Sequence, residues 1–236
     1  MIHEVGQVCF ALAPTVGYFP QWWLIRQTGS EGFSPNVCLL LLLANITRVF
    51  FWFGQRFDST LLYQALVMIF VQLLLLEAIV SVKQKARSTQ NIQNRQEDSV
   101  WDWSKFWKWC DFTPYIQSLT LFSGFLSAVT IIFKSNQTYS HLIGSAAVAM
   151  ESVISLPQLC QNYIKKNTAG LSLMMVMGWV MGDSFKLLYF VSTGSPFQFI
   201  YGAIFQLCSD TFVLIQMTFI YPSSTHLGKK KIEASS

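Results

Sequence analysis

The apolar residues of this chain are grouped into blocks of about 20 residues, the length that a helix needs to cross the hydrocarbon core of a bilayer. Hydrophobic residues make up 52% of the 236 residues and charged residues 12%, about half the share typical of soluble domains. No block alternates apolar and polar residues with the period of a β-strand, so helices are predicted rather than barrel strands. We therefore predict an all-α membrane protein with seven transmembrane helices, formed by residues 5–25, 35–54, 61–82, 115–133, 141–164, 171–192 and 197–221.

The first three apolar blocks and the last three are copies of one pattern. Each copy contains an apolar helix that ends in Pro-Gln, a basic turn, and a second apolar helix with two polar residues three positions apart. A self-similar unit of this kind fixes the architecture before any residue chemistry is considered. A shift of 138 positions, with one residue of slack at the turn, aligns Pro157, Gln158, Asp183, Lys186 and Asp210 with Pro20, Gln21, Asn45, Arg48 and Gln72.

The fourth block has no counterpart in the duplication. Three helices end on the membrane side opposite to their start, so a fourth is needed before a second triple can begin in the same orientation. We therefore predict two parallel three-helix repeats, with a site between them near the midplane. The predicted segments are a first repeat (1–83), a cytosolic loop with an interfacial Trp-rich part (84–114), an inverting linker helix (115–134), a second repeat (139–222) and a cytosolic tail (223–236).

Basic residues are distributed unevenly between the two sets of connecting segments. The turns near 26–33, 83–112 and 165–170 and the tail carry twelve of the 16 Lys and Arg, whereas the opposite connections carry only Arg56 and Lys134. Positive charge is enriched on the cytosolic side of membrane proteins, so we predict a lumenal N-terminus and a cytosolic C-terminus. The formal net charge of +4 follows from this asymmetry and indicates no nucleic-acid partner.

Pro-Gln recurs near the end of the first helix of each repeat. A proline inside a helix removes one backbone hydrogen bond and leaves a carbonyl without its donor. In lipid such a carbonyl needs another partner, so helix breaks face protein or a wet cavity. A packing kink explains one such site, but its recurrence in both copies favours hinges at Pro20, Gln21, Pro157 and Gln158.

Two predicted helices carry ionisable residues within their apolar sequence. Asp183 and Lys186 lie three positions apart and share a helix face, as do Asn45 and Arg48. A charge near a helix centre costs about 2.5–3.5 kcal/mol on insertion scales, so neighbouring helices must stabilise it. Asp183 and Lys186 can neutralise each other. Arg48, beside neutral Asn45, needs a carboxylate, a wet cavity or a phosphate, and an intramembrane ionisable residue is by default a functional candidate.

Two further acids are accessory candidates. Glu77 lies near the predicted cytosolic end of the third helix, where we expect it to meet a base such as Lys83, and Glu151 lies in the fifth block. With the polar residues of the third helix of each repeat included, the predicted substrate pathway is lined by Asn45, Arg48, Gln72, Asp183, Lys186, Gln206 and Asp210.

One long loop connects the third and fourth blocks. Its first half, Gln84–Ser99, is polar and predicted to be flexible. Its second half, WDWSKFWKWC, would place Trp103, Phe106, Trp107 and Cys110 on one helical face, which is typical of an interfacial amphipathic segment.

Enzymatic activity is not expected from this sequence. No phosphate-binding loop, nucleophile motif or metal-ligand spacing is present, and the five cysteines and three histidines are scattered. We therefore expect no metal and no cofactor.

The duplicated Pro-Gln motif in a three-plus-one-plus-three arrangement resembles the PQ-loop repeat family, which is related to SWEET sugar transporters, lysosomal cystine exporters and KDEL receptors. The stretches GFSPNVCLLLLLANITRVFFWFG, FWKWCDFTPYI, SLPQLCQNY and GDSFKLLYF resemble one branch of it within solute carrier family 66. That branch is linked to phospholipid scrambling and aminophospholipid distribution in Golgi and endosomal membranes, and the resemblance implies the same role here.

Three functions stay open at this stage. The first is a phospholipid scramblase whose two repeats rock about the Pro-Gln hinges. The second is a proton-coupled exporter of amino acids or a similar small solute, and the third is a non-transporting sorting receptor or scaffold. The expected partners are membrane lipids or a small solute, and a homo-oligomer is compatible with each function.

Overall fold

Every regular element that the structure describes is helical. This computed structural model describes residues 12, 15, 18–28, 35–89, 106–133, 135–166, 168 and 173–221. A 3-10 turn (Val153–Ser155) and a π-helical turn (Gln216–Ile220) accompany the α-helices. In these ranges the α-helices are α1 (Tyr18–Thr28), α2 (Pro35–Gly54), α3 (Ser59–Thr89), α4 (Phe112–Phe133), α5 (Gln137–Ser152), α6 (Leu156–Lys165), α7 (Leu173–Ser192) and α8 (Phe197–Ile215).

The chain is a multi-pass membrane protein. Within the described ranges, α2, most of α3, α4, and α8 with its π-helical turn are each long and apolar enough to cross a membrane. The helix α7 has 20 residues but includes Asp183 and Lys186. The fifth predicted block is divided by the 3-10 turn, and the first lies partly outside the described residues. The arrangement of seven spanning helices in two repeats stays a prediction.

The predicted helix bounds agree best where capping signals are strong. The helix α2 runs from Pro35 to Gly54, as predicted, with proline at its first position where no intrahelical bond is lost. The helix α3 continues to Thr89, well past the predicted end at residue 82. The polar stretch that begins at Gln84 was predicted to be a flexible loop, and this was wrong for its first residues. Lys, Gln, Ala and Arg are strong helix formers, so they extend the preceding helix.

The chain divides into two compact units, residues 1–151 and 152–236. In the first unit, α3 packs against both α1 and α2, and α4 packs against α2. The apolar core of this unit contains Leu42 and Leu75 together with Trp107, Trp109 and Tyr115. In the second unit, α7 packs along α8, and α6 contacts the same helix.

The Trp-rich segment is not the predicted amphipathic helix over its described part, residues 106–111. Trp107 has a φ of 60°, which ends any helical course there. The side chains of Trp107 and Trp109 are buried rather than exposed at an interface. The indole Nε1 of Trp107 donates to the Pro35 carbonyl at 2.7 Å, and the Tyr115 hydroxyl donates to the Trp109 carbonyl at 2.9 Å. These hydrogen bonds fix the segment against the start of α2, because buried polar groups need partners.

The helices α5 and α2 contact each other at two glycines. A Cβ added to Gly144 would lie 2.7 Å from the ring of Phe51, and one added to Gly54 would lie 2.7 Å from the Ser140 hydroxyl. The contacts run in opposite directions along the two helices, so α5 is antiparallel to α2. Each glycine leaves room for the side chain that faces it.

The predicted break in the fifth block is present in the structure. The 3-10 turn Val153–Ser155 comes just before Pro157, which has no N–H to offer the carbonyl of Val153. The backbone N–H of Leu156 donates to that carbonyl instead. The lost α-helical bond is thus replaced locally by a 3-10 bond, as buried backbone groups require.

Candidate intramembrane polar sites

Arg48 is held by Glu151. The Nη2 of Arg48, on α2, donates to Oε2 of Glu151, on the last turn of α5. The Arg48 side chain is 3% exposed and that of Glu151 is 20% exposed. The carboxylate was the first of the three partners that the sequence suggested for Arg48, and it lies 103 residues away along the chain. The ion pair lets both charges remain in an apolar helix bundle, where either alone would be costly.

Two further predicted pathway residues lie in the same unit. Asn45, one turn before Arg48, is buried, and its Nδ2 donates to the Leu41 carbonyl of its own helix at 2.8 Å. Gln72 is fully buried on α3, which packs along α2. Neither its amide nitrogen nor its amide oxygen has a hydrogen-bond partner within the described structure. A buried amide without partners is unusual in folded proteins and points to a polar ligand or water at this position.

The second unit contains a cluster of four polar side chains from α7 and α8. The Nζ of Lys186 donates to Oε1 of Gln206 at 3.2 Å. The carboxyl groups of Asp183 and Asp210 lie close enough to interact with each other, and the charge of Lys186 acts on both acids. Lys186 and Asp183 thus belong to a larger cluster that includes the neighbouring helix.

The acidic pair carries a chemical constraint of its own. Two carboxylates that lie close together repel each other when both are ionised, which favours the binding of a proton. Asp183 is 8% exposed and Asp210 is 4% exposed. The Oδ2 atom of Asp183 is buried and has no hydrogen-bond partner among the residues described. This oxygen can accept an N–H or O–H group from a ligand.

The predicted hinge residues all lie in described helices. Pro20 and Gln21 belong to α1, and Pro157 and Gln158 belong to α6, directly after the 3-10 turn Val153–Ser155. Movement about these positions stays a prediction.

Glu77 pairs with Arg26 of α1, which is one of the predicted cytosolic-side bases, and not with the example given, Lys83. Their side chains are 39% and 44% exposed, and the Ser81 hydroxyl also donates to Glu77 at 2.7 Å. Lys83 lies six positions from Glu77 on the same helix, where the two side chains do not share a face. An exposed ion pair of this kind contributes about 0–1 kcal/mol to the stability of the fold. Glu77 therefore forms a surface contact between α3 and α1 and is not placed in the buried polar sites.

Sequence reasoning listed Glu151 as an accessory acid and missed its pairing with Arg48. A signal for it was present in the fifth block. Ser140, Gly144, Ala147 and Glu151 recur at the spacing of one helix face, so three small residues are followed by one acid. Small residues on one face indicate a close helix neighbour, and Arg48 on α2, beside neutral Asn45, needed a carboxylate.

The family model described as the PQ loop repeat matches residues 11–61 and again residues 139–199, so it finds the duplication that the sequence shows. The chain belongs to the PQ-loop repeat family. The two matched stretches include both Pro-Gln pairs and both polar pairs of α2 and α7. No solved structure matches the chain significantly.

Two yeast proteins are among its curated relatives. Scramblase ANY1 of Saccharomyces cerevisiae is 25% identical over 266 aligned positions, which cover 83% of this chain and 65% of that protein. Vacuolar lysine transporter YPQ1 of the same yeast is 33% identical over 54 positions, which cover 23% of this chain and 18% of that protein. The matched regions thus span less than two thirds of the length of each relative.

Proposed function

We propose that this protein is a phospholipid scramblase of Golgi and endosomal membranes. The observation that carries the proposal is that both cations in the apolar helices, Arg48 and Lys186, are kept inside the protein by polar partners on facing helices. A chain that only anchored other proteins would have no use for two such costly residues. The similarity to Scramblase ANY1 over most of this chain supports the same function.

In the proposed mechanism, the two cations guide the lipid phosphate across the apolar core. A guanidinium binds phosphate through two parallel N–H donors, and an ammonium binds it as a point charge. The two repeats would rock about the Pro-Gln hinges and open a polar furrow between the leaflets, with the acyl chains remaining in the bilayer. No energy source is needed, since scrambling only equalises the two leaflets. The N-terminus would be lumenal and the C-terminus cytosolic.

A flip assay on the purified full chain tests this proposal. Proteoliposomes with a fluorescent phospholipid are treated with a membrane-impermeant quencher, which reaches only lipids of the outer leaflet. We expect wild-type protein to make nearly all of the lipid accessible, and Arg48→Ala/Lys186→Ala to slow this at least tenfold. Equal rates for the two proteins would contradict the proposed role of the cations, and no flipping by either would contradict the function itself.

A second candidate function is a proton-coupled exporter of a cationic or small amino acid. The observation that favours it is that two buried acids, Asp183 and Asp210, lie close to each other, because their mutual repulsion favours the binding of a proton that coupling can use. The similarity to Vacuolar lysine transporter YPQ1 supports this function as well. That similarity covers 23% of this chain.

Uptake of labelled lysine into proteoliposomes under a pH gradient discriminates between the two functions. An exporter would accumulate lysine in response to the gradient, and Asp210→Asn would abolish this accumulation. A scramblase would flip lipid at the same rate with or without the gradient and would accumulate no lysine.

A further inference from the structure

The two members of the Arg48–Glu151 ion pair differ in their exposure. Arg48 is almost fully buried, whereas one fifth of the Glu151 side chain is exposed. A ligand that approaches Arg48 therefore meets the carboxylate first. The guanidinium fork has the same geometry for carboxylate and phosphate, so the two anions compete for the same N–H donors.

Charge balance makes an exchange between these anions feasible. A phosphodiester carries one negative charge, as the Glu151 carboxylate does, so replacing one by the other leaves the buried guanidinium neutralised throughout. The cost falls on Glu151, which must move into a more polar environment. It occupies the next-to-last position of α5, two residues before the 3-10 turn at Val153–Ser155. A helix end beside a break can shift without disturbing the α-helical bonds on the other side.

The packing of α5 sets where Glu151 lies when no phosphate is present. Gly144 and Ser140 hold α5 against α2 over the turns that precede Glu151. These contacts on the same helix place the carboxylate at Arg48, and its release requires movement only at the end of the helix.

We propose that Glu151 is a resident counter-ion of Arg48, which it neutralises in the resting protein and yields to the phosphodiester of a lipid headgroup. This inference rests on the proposed function, whose phosphate-guiding residue it regulates. It makes Glu151 an internal competitor: its charge weakens phospholipid binding and prevents Arg48 from retaining a headgroup after passage. Loss of the carboxylate is then expected to strengthen binding, whereas loss of a purely structural partner would weaken it.

The test measures binding directly and does not depend on lipid flipping. The purified full chain in detergent is titrated with dioctanoyl phosphatidylcholine, and the shift in its thermal unfolding temperature gives an apparent dissociation constant. Dioctanoylglycerol, which has no phosphate, and inorganic phosphate, which has no acyl chains, are titrated in parallel. The variants are Glu151→Gln, which keeps the shape and an acceptor oxygen, and Arg48→Lys and Arg48→Gln. Glu77→Gln makes the same change in the exposed ion pair with Arg26 and is the matched control.

We expect Glu151→Gln to bind the short-chain phospholipid on the order of tenfold more tightly than wild type, within the usual range for coupled equilibria. Arg48→Gln should lose this binding with or without Glu151→Gln, and Arg48→Lys should retain part of it. The control should match wild type, and dioctanoylglycerol should cause no shift. Equal or weaker binding by Glu151→Gln would overturn the proposal, as would a response to dioctanoylglycerol equal to that of the phospholipid.

The remaining outcomes separate the causes. A response to inorganic phosphate alone that equals the phospholipid response would mean that Arg48 takes free phosphate, and this would overturn the assignment to a lipid headgroup. Tighter binding by Glu151→Gln in a protein that flips no lipid would uphold the exchange and refute the scramblase. If wild type flips lipid and Glu151→Gln binds the phospholipid no more tightly than wild type, the scramblase is upheld and the exchange is refuted.

Discussion

Replacing Gly144 by alanine tests the contact between α5 and α2 that lies two turns before the Arg48–Glu151 ion pair. A Cβ at this position would lie 2.7, 2.8 and 2.9 Å from three carbons of the Phe51 ring. Carbon atoms in favourable contact are about 3.5–4.0 Å apart, so the helices must separate by roughly 0.5–1 Å or the ring must move. The ring is fully buried and has no room to swing aside. Overpacking of this kind costs about 1–3 kcal/mol of folding free energy.

The effect is measured by thermal unfolding of purified variants in detergent, followed through tryptophan fluorescence. Gly124→Ala is the matched control, because a Cβ there has no atom within 4 Å, and we expect its unfolding temperature to equal or exceed that of wild type. The double variant Gly144→Ala/Phe51→Leu should recover part of the loss, since the smaller side chain frees the space. A Gly144→Ala protein as stable as wild type, or a double variant whose losses simply add, would refute the packing argument.

Two other predictions concern a buried hydrogen bond and the exposure of two cysteines. Tyr115→Phe removes the hydroxyl that donates to the buried Trp109 carbonyl. We expect the free energy of unfolding to fall by about 1–3 kcal/mol in the same assay, because the carbonyl loses its donor. An unchanged stability would mean that water replaces the hydroxyl and would contradict this prediction. Cys160 is exposed and Cys38 is fully buried. A maleimide should therefore label Cys160 in the folded protein and Cys38 only after unfolding, as measured by mass spectrometry of peptides. Labelling of Cys38 in the folded protein would contradict its burial.

The membrane class and most helix positions could be predicted because they depend on local patterns. Apolar block length, the Ser-Pro start of α2 and the Pro-Gln pair in the fifth block each act within a few residues. The break before Pro157 is an example, since a missing N–H has the same consequence in any helix. The duplication, confirmed by the two family matches, could be read in the same way.

The partners of the charged residues could not be predicted because they depend on which helices are neighbours. Arg48 finds Glu151 across 103 positions, and Glu77 finds Arg26 across 51 positions, although a base lay closer in sequence. The Trp-rich segment was mispredicted for another reason. Its aromatic spacing fits a helix, but the positive φ of Trp107 has no signal in the sequence, because this conformation is rare for such a residue.

The central claim is that cations inside the helix bundle guide a lipid phosphate. The most direct test compares a lipid that has a phosphate with one that has none. Flip rates are compared in the same proteoliposomes for fluorescent phosphatidylcholine and for a fluorescent hexosylceramide, whose polar headgroup has no phosphate. The account predicts that the protein accelerates the phospholipid at least tenfold more than the hexosylceramide, and that Arg48→Gln removes this preference. Equal acceleration of the two lipids would contradict it.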